Sequence, residues 1–481
     1  MKTEVTTAQP SVFKVSTIGF LVMFILGLYV WLASPFAPGL SALGHKVLMA
    51  LIFTIGMWVF KPWGIPFSVG GSLFLLLTMA FGVPMPKVFS GFTSPALWTL
   101  IPALFFGYVL VKTGLGKRLA FLALQAFKPS YPMLILAFVL IGLALSALTP
   151  SITVRCVIII PIAVSVIEAC KLDLKSSGSA LLLLSAWVMA VVPGTGWLTG
   201  SLHGPIIMGM FGSVPDLKDV VTFGSWSQTM LLPAELLSAL LIVGGYFALK
   251  PDQPITLAKE YFTEEYRKLG SFSKDEIYSI IILTACFVMF VTGRIHKIPD
   301  PATCLGGLFL LTLAGVLKAS DISPGISWDL VMFIGIASGF GAVFAETGVS
   351  KWLVGVLVPL IKPLTASPWL FCYSLLLAFF ALRFFDVAVF IPTMAVLVPI
   401  IPEIAKNFGI NPMVWVCLFV MAANCFLMSY TNMFALVAES IAKDRSWTPA
   451  QFTRYGIVYC VACLITLAVA IPYWTSIGMF R

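Results

Sequence analysis

The chain has 481 residues, of which 60% are hydrophobic and only 10% are charged, and its mean hydropathy is +1.03. About a quarter of the residues in a soluble domain are charged, so this composition excludes a soluble protein and indicates a polytopic protein of the lipid bilayer. The formal net charge of +9 is spread over short loops, where it reports orientation across the membrane and predicts no binding to nucleic acid. The nine cysteines lie in or beside apolar segments, which favours packing over disulfides.

Apolar runs of about 20 residues, the length needed to cross about 30 Å of hydrocarbon, recur along the chain. In the first half they predict helices near residues 17–35, 44–60, 66–82 and 95–112, an interfacial piece near 114–128, a broken element over 132–150 and 151–170, and helices near 177–195, 200–212 and 228–249. We interpret the first run as a retained helix. The only long polar stretch predicts a division into an N-terminal half (1–249), a cytoplasmic linker (250–276) and a C-terminal half (277–481).

The break inside the apolar stretch 133–167 is the feature from which a function can be inferred. Residues 148–155 place a proline, hydroxyl residues and an arginine where a straight helix needs none. A non-helical tip at membrane depth must be surrounded by protein or by a water-filled cavity, because bare backbone groups are unstable in hydrocarbon. Ser151 and Thr153 are therefore candidate substrate ligands, and Arg155 is a candidate coupling or ion-pair residue. The alternative is a proline-kinked helix whose Arg155 extends to the interface.

The second half repeats the spacing of the first. Gly114 recurs as Gly348, and Lys128-Pro129 recurs as Lys362-Pro363, at one offset of 234 residues. Internal repeats with matching interruptions are typical of secondary transporters, whose site lies where the repeats meet.

The distribution of charged residues between the two copies predicts that the repeat is inverted. The first copy carries four basic residues and no acid, as expected of a cytoplasmic segment: Lys112, Lys117, Arg118 and Lys128. The second copy carries Lys351 and Lys362 beside Glu346. We therefore expect the two copies on opposite faces, with the N-terminus in the cytoplasm.

Two further breaks precede short helices. Gly200 and Ser201 lie in a glycine-rich break, and the N–H groups at the start of the helix that follows suit a carboxylate or a sulfate. In the second half, Ser429, Thr431 and Asn432 precede an apolar run. These three side chains are either substrate ligands or helix caps.

Arg383 and Asp386 lie three positions apart inside the apolar run 370–401. Residues with this spacing share one helix face, so a neutralising ion pair is one interpretation. In the other, Arg383 binds substrate and Asp386 tunes it or holds a cation.

An enzymatic function finds little support in the sequence. There is no G-x-x-x-x-G-K-[ST] loop for ATP phosphates, and His45, His203 and His296 are far apart without metal-ligand spacing. We therefore expect no cofactor and a transport process driven by a gradient.

Four stretches resemble a known family: Gly91-Phe92-Thr93 with Trp98 and residues 112–118; Thr149 to Arg155; Phe379-Phe380-Ala381 followed by Pro392; and Ser446-Trp447 with residues 452–456. At these residues the chain is similar to the divalent anion:sodium symporter family, especially its citrate, tartrate and oxoglutarate–malate carriers. The resemblance spans nearly the whole chain. It implies an all-α polytopic fold of about eleven transmembrane helices, with two inverted repeats and re-entrant hairpins, forming a homodimer in the inner (cytoplasmic) membrane.

The chain departs from the family pattern at the binding positions. Ile152 replaces the asparagine of the first tip, and the run 382–384 replaces a second serine-x-threonine tip. Asp386 stands where this branch usually has His or Tyr, and Gly204 stands where many relatives have asparagine. These changes remove oxygens that in relatives hold sodium. We expect that at least one sodium site is missing and that anion exchange, or coupling to fewer cations, is the working mode.

The sequence thus predicts a secondary transporter for a small divalent organic anion, a C4–C6 di- or tricarboxylate, moved by anion exchange or by coupling to Na⁺. A sulfate or organosulfonate transporter of the same fold is the nearer alternative, because an arginine-bearing pocket serves either anion. An anion channel would conduct without saturation or counter-transport.

Overall fold

The computed structural model describes residues 15–258, 260–386, 390–428, 431–443 and 447–480. Across these ranges the secondary structure is helical, with no β-strand. Up to the linker the helices are α1 (Val15–Ala33), α2 (Ala42–Phe60), α3 (Phe67–Ala80), α4 (Met85–Val88), α5 (Pro95–Lys112), α6 (Leu115–Leu124), α7 (Tyr131–Leu148), α8 (Ile152–Ala169), α9 (Ser177–Val191), α10 (His203–Gly212) and α11 (Phe223–Ala248).

The linker and second half contain α12 (Tyr261–Lys268), α13 (Lys274–Val291), α14 (Gly293–His296), α15 (Asp300–Leu313), α16 (Trp328–Ser338), α17 (Phe340–Thr347), α18 (Val349–Ile361), α19 (Pro368–Leu382), α20 (Ile391–Leu397), α21 (Ile401–Phe408), α22 (Pro412–Ala423), α23 (Met433–Ala442) and α24 (Pro449–Ser476). Short 3₁₀ turns connect several of them.

The predicted all-α fold of about eleven spans is confirmed. In the described part of the chain, eleven helices are long and apolar enough to cross a membrane. They include both arms of the first hairpin, α7 and α8, whereas α3 and α15 are apolar but have only 14 residues each. The two halves of the broken element are joined by Thr149, Pro150 and Ser151 alone.

The repeat predicted from the sequence is present as a repeat of helices. The helix α18 begins 234 positions after α6, α22 begins 235 positions after α9, and α23 begins 230 positions after α10. The helices α9 and α22 also share their environment, because the side chains of residues 178–191 and 413–423 are all buried. These two equivalent helices form the centre of the bundle.

The equivalent helices α9 and α22 begin at opposite ends of α24. The 28 residues of α24 give it a length of about 42 Å at 1.5 Å per residue. At one end, Gln451 donates to the Lys175 carbonyl (2.9 Å), just before α9. At the other end, the backbone N–H of Asn411, just before α22, donates to the Met479 carbonyl (2.9 Å). The repeat is therefore inverted. We call the end at Lys175 the first face and the end at Asn411 the second face.

A buried ion pair between Arg118 and Glu276 holds the linker against α6 at the first face. Arg118 donates from Nε to Glu276 Oε1 (2.6 Å) and from its two terminal nitrogens to the carbonyls of Leu269, Gly270 and Ser271. The hydrogen bonds that Arg118 donates to Glu276 raise the pKa of Arg118. The linker is thus held against α6 by every donor nitrogen of one guanidinium group.

Candidate functional site

The first hairpin tip is stabilised by its own hydroxyl groups. Thr149 Oγ1 accepts from the backbone N–H of Ser151 (3.1 Å), and Ser151 Oγ accepts from the N–H of Val154 (3.3 Å), which makes Ser151 the N-cap of α8. The Thr153 side chain is exposed, and its hydroxyl makes no hydrogen bond within the described residues. Of the two predicted ligands, Ser151 also serves the helix, whereas Thr153 is available to a solute.

Arg155 is fully buried and binds backbone carbonyl groups. Its Nε donates to Ala190 (2.6 Å), and its Nη1 donates to Gly200 (2.6 Å) and Thr149 (3.1 Å). Thr149 and Ala190 stand at the C-terminal ends of α7 and α9, where cations are stabilised by the helix dipole. Arg155 thereby joins the hairpin tip to the break between α9 and α10. Its Nη2 has no hydrogen-bond partner among the described residues.

Gly200 and Ser201 are buried inside that break. A Cβ atom added to Gly200 would lie 2.2 Å from the Gly194 carbonyl oxygen, so only glycine fits this close approach. Ser201 Oγ hydrogen-bonds to His203 Nδ1 (2.8 Å). Both predicted ligands therefore contact the protein interior in this structure, and the helix predicted to begin at 200 begins at His203 because two 3₁₀ turns precede it.

The second half uses an arginine in a similar way. Arg383 donates to the carbonyls of Asp386 and Thr431, so it joins the second tip to the break before α23. The Asp386 carboxylate accepts from the backbone N–H (2.9 Å) and the hydroxyl (2.7 Å) of Thr393. Asn432 is the N-cap of α23, accepting from the N–H of Phe434 (3.0 Å). Arg383, Asp386, Thr431 and Asn432 are buried, and Ser429 lies outside the described residues.

A cavity of about 140 Å³ lies between the two repeats. It is lined by the beginnings of helices: Ser151, Ile152 and Thr153 of α8, Leu202 of α10, Ser327 and Asp329 of α16, Ile391 of α20, and Met433 and Phe434 of α23. The N-terminus of a helix presents unpaired N–H groups and a partial positive charge. The side-chain caps at α8, α16 and α23 satisfy only one N–H group each. The helix ends therefore contribute positive potential to the cavity, which the carboxylate of Asp329 opposes, and among the described residues no lysine or arginine lines it.

Sequence reasoning missed Ser327 and Asp329. The Asp329 carboxylate accepts from the backbone N–H (2.8 Å) and the hydroxyl (2.5 Å) of Ser68, at the start of α3. The available sequence signal was an acidic residue, Asp329, two positions after a hydroxyl residue, Ser327, at the start of an apolar run. The same pattern is equally typical of the first turn of a helix without any binding site.

A second, larger space of about 1360 Å³ opens at the second face, where Lys87, Lys218 and Lys297 line it. The helices α10 and α16 separate it from the smaller cavity. A Cβ atom added to Gly209 of α10 would lie 2.5 Å from Ser338 Oγ of α16, so the two helices touch closely there. The close packing of α10 and α16 therefore lies between the two spaces.

Comparison with known proteins places this arrangement in context. Residues 14–480 match the family described as the sodium:sulfate symporter transmembrane region. The chain is 25% identical over 348 residues to the putative malate transporter YflS of Bacillus subtilis, which covers 70% of this chain and 71% of that protein. It is 22% identical over 476 residues to the chloroplastic dicarboxylate transporter 1 of Arabidopsis thaliana, with coverage of 96% and 83%.

The crystal structure of the Alcanivorax borkumensis YdaH transporter matches with a TM-score of 0.56 at 12% identity, covering 82% of this chain and 89% of that one. This likeness concerns the fold alone.

Proposed function

The chain belongs to the sodium:sulfate symporter family, a family of membrane transporters and not of enzymes, and from that membership we propose that it carries a small divalent organic anion, a C4–C6 di- or tricarboxylate. The relatives named for malate and dicarboxylates support this cargo class.

One observation supports the proposal most strongly, namely that the N-termini of α8, α10, α16 and α23 meet at one cavity between the repeats. Helix N-termini bind carboxylates and other anions through free N–H groups and the helix dipole. The exposed hydroxyl of Thr153 adds a donor. A cavity of about 140 Å³ is close to the engineered cavity of about 150 Å³ that holds a benzene molecule, so a small carboxylate fits better than a large anion.

The arginines do not discriminate between the two cargo classes. An arginine-bearing pocket was expected to serve either anion, and Arg155 and Arg383 donate to backbone carbonyls. The hydroxyls and helix ends that remain suit the two separated charges of a dicarboxylate. Sulfate transport stays as the second candidate because the matched family bears its name.

We propose exchange of anions, or coupling to fewer sodium ions than in relatives. Sodium takes oxygen ligands, and the first tip offers few, since Arg155 occupies the carbonyls of Thr149 and Gly200 and Ile152 supplies none. Ser151 Oγ already accepts from Val154.

Further parts of the proposal concern the assembly. The protein is a multi-pass membrane protein. We place it in the inner membrane as a homodimer with a cytoplasmic N-terminus and first face. We retain the division into residues 1–249, the linker 250–276 and residues 277–481.

Uptake by the purified protein in liposomes tests the function. Radiolabelled dicarboxylates, tricarboxylates, sulfate and sulfonates should be compared at equal concentration, with and without Na⁺ and with the same anion preloaded inside. We expect saturable dicarboxylate uptake that preloading accelerates. Saturable uptake of sulfate alone would overturn the carboxylate assignment, and unsaturable conductance would identify a channel.

A further inference from the structure

Asp329 is an acidic side chain in a cavity that we assign to an anion. Its Oδ1 is held by the N–H and the hydroxyl of Ser68. Within the described residues no hydrogen bond is made to Oδ2. The same cavity is lined by Thr153 and by the N-cap Ser327, so a solute bound there lies beside a carboxylate whose position is fixed.

The positive charge of the helix ends in this cavity is too small to neutralise a dianion together with Asp329. Each helix N-terminus supplies a partial charge of about +0.5 that weakens within one turn, and no basic side chain of the described chain lines the cavity. A dianion next to Asp329 would bring three negative charges together. Repulsion between unit charges a few ångströms apart is strong near a protein interior, and one proton shared between two carboxyl groups removes one of the three charges.

We propose that Asp329 accepts a hydrogen bond from a protonated carboxyl group of the cargo, so that the protein binds the singly protonated, monoanionic form of a dicarboxylate. This inference rests on the dicarboxylate cargo of the proposed function and replaces its divalent form by the singly protonated form. Hydrogen bonds from a carboxyl O–H to a carboxylate are short and strong. The second carboxylate of the cargo then lies toward Thr153 and the start of α8. The proton stays on the cargo, and no covalent bond is broken.

A proton fits this place better than a sodium ion does. Hard cations take several oxygen ligands, and among the described residues Asp329 is the one carboxylate that lines the cavity. The nearby carbonyls of Thr149 and Gly200 are bound by Arg155. A proton needs only one donor and one acceptor, and Asp329 supplies the acceptor.

The charged groups around Asp329 are few. Lys61 places its Nζ 3.6 Å from the centre of the Phe67 ring, which lines the cavity, and interacts electrostatically with Asp329. Other charges on the elements packed against α16 are paired, with Lys112 bound to Asp321 and Lys87 to Glu346, and His203 on α10 is bonded to Ser201. Lys61 is therefore the group that would neutralise Asp329 if the dianion were the bound form.

The pH dependence of malate binding tests the proposal. Initial rates of malate exchange in Na⁺-free liposomes should be measured with equal pH on both sides, from below to well above the second pKa of malate. In the wild-type protein we expect the KM, expressed as total malate, to rise about tenfold for each pH unit above that pKa, because the monoanion fraction falls by this factor. Asp329→Asn keeps an oxygen acceptor for Ser68 and removes the charge, and its KM should change less than about twofold over the same range.

Two control variants separate charge from structure. Ser68→Ala removes the hydroxyl contact to Asp329 and keeps the backbone N–H contact and the charge, so the steep pH dependence should persist even if thermal stability falls. Asp216→Asn removes an exposed carboxylate outside the cavity and should behave as wild type. A steep profile that persists in Asp329→Asn, or a flat profile in the wild type, overturns the proposal.

A further measurement needs no variant. With the membrane potential clamped by K⁺ and valinomycin, net malate uptake should acidify the lumen by about one proton per malate, as an enclosed pH dye reports, because the monoanion releases its proton inside. Malate uptake without acidification contradicts the proposal while leaving the proposed function intact. Absence of saturable malate exchange in the wild type would instead contradict malate as the cargo.

Discussion

Gly114 and Gly348 lie 234 residues apart in the sequence and adopt the same left-handed backbone, with φ 79° and ψ 0° at Gly114 and φ 78° and ψ 1° at Gly348. Each is the residue directly before an interfacial helix, α6 or α18. Glycine adopts a positive φ without steric cost, so the same turn is specified twice. The two copies therefore share local structure and not only hydrophobicity.

The inverted repeat predicts where thiol reagents react. A cysteine at Gln125, beyond α6, should be shielded from a membrane-impermeant maleimide added to intact cells, whereas a cysteine at the exposed Leu360 in α18 should react. We expect α6 on the cytoplasmic side because of the positive charge at the end of α5 and in α6. Labelling after permeabilisation serves as the control, since both cysteines should then react. The reverse pattern in intact cells would contradict the proposed orientation.

Removing the hydroxyl of Thr153 should weaken binding without destabilising the protein. A hydrogen bond to a charged group contributes about 1.5–3 kcal/mol, so Thr153→Ala should raise the KM for the transported anion about tenfold or more. Thr153→Ser keeps the hydroxyl and should remain within about twofold of wild type. Ser151→Ala removes an N-cap as well, so its thermal stability should fall by about 1 kcal/mol. An unchanged KM in Thr153→Ala would remove the tip from the site.

Arg155→Lys should lower thermal stability. An ammonium group cannot reach the three carbonyls that the guanidinium binds, and each buried carbonyl left without a donor costs about 1–3 kcal/mol. We expect a lower melting temperature and less monodisperse protein in detergent chromatography. Arg267→Lys, at an exposed position of the linker, is the matched control. A stable variant whose KM alone rises would show that Arg155 binds the cargo through Nη2.

The pair Lys112–Asp321 predicts a loss of stability in acid. The hydrogen bond from Lys112, first among several, lowers the pKa of Asp321 to about 2. The carboxyl group therefore binds its proton less readily in the folded than in the unfolded protein, where its pKa is about 3.9. The Asp321 carboxylate therefore adds to the free energy of unfolding above about pH 4, and this contribution is lost as the pH falls towards 2. Melting temperatures measured from pH 6 to pH 3 should fall less steeply in Asp321→Asn than in wild type or in Asp216→Asn.

The helices were predictable because their signal is local. Apolar runs located the spans to within a few residues, but the helix predicted from 228 begins at Phe223. Its first turn is polar, since Thr222 and Ser225 form a capping box, and polar residues were interpreted as loop. The glycine-rich 3₁₀ turns after α9 caused the similar error at the start of α10.

The site was less predictable because its contacts are distant in the sequence. The break between α7 and α8 was predicted at the observed position, since a proline inside an apolar run is itself a signal. Asp329 meets Ser68, 261 positions away, and the spacing of Arg383 from Asp386 gave no indication of the Thr431 carbonyl, 48 positions away. Contacts between residues that are far apart in the sequence depend on the tertiary fold, so a local sequence pattern does not predict them.

The equivalent helices α9 and α22 begin on opposite faces, and this has a consequence for biosynthesis. The chain between their two starting points must cross the bilayer an odd number of times. Deleting one crossing between them, such as α11, would give an even number and insert the second copy upside down. Deleting two crossings would restore its direction. The parity of the intervening helices, more than the sequence of the second copy, therefore determines which way the second hairpin enters the membrane.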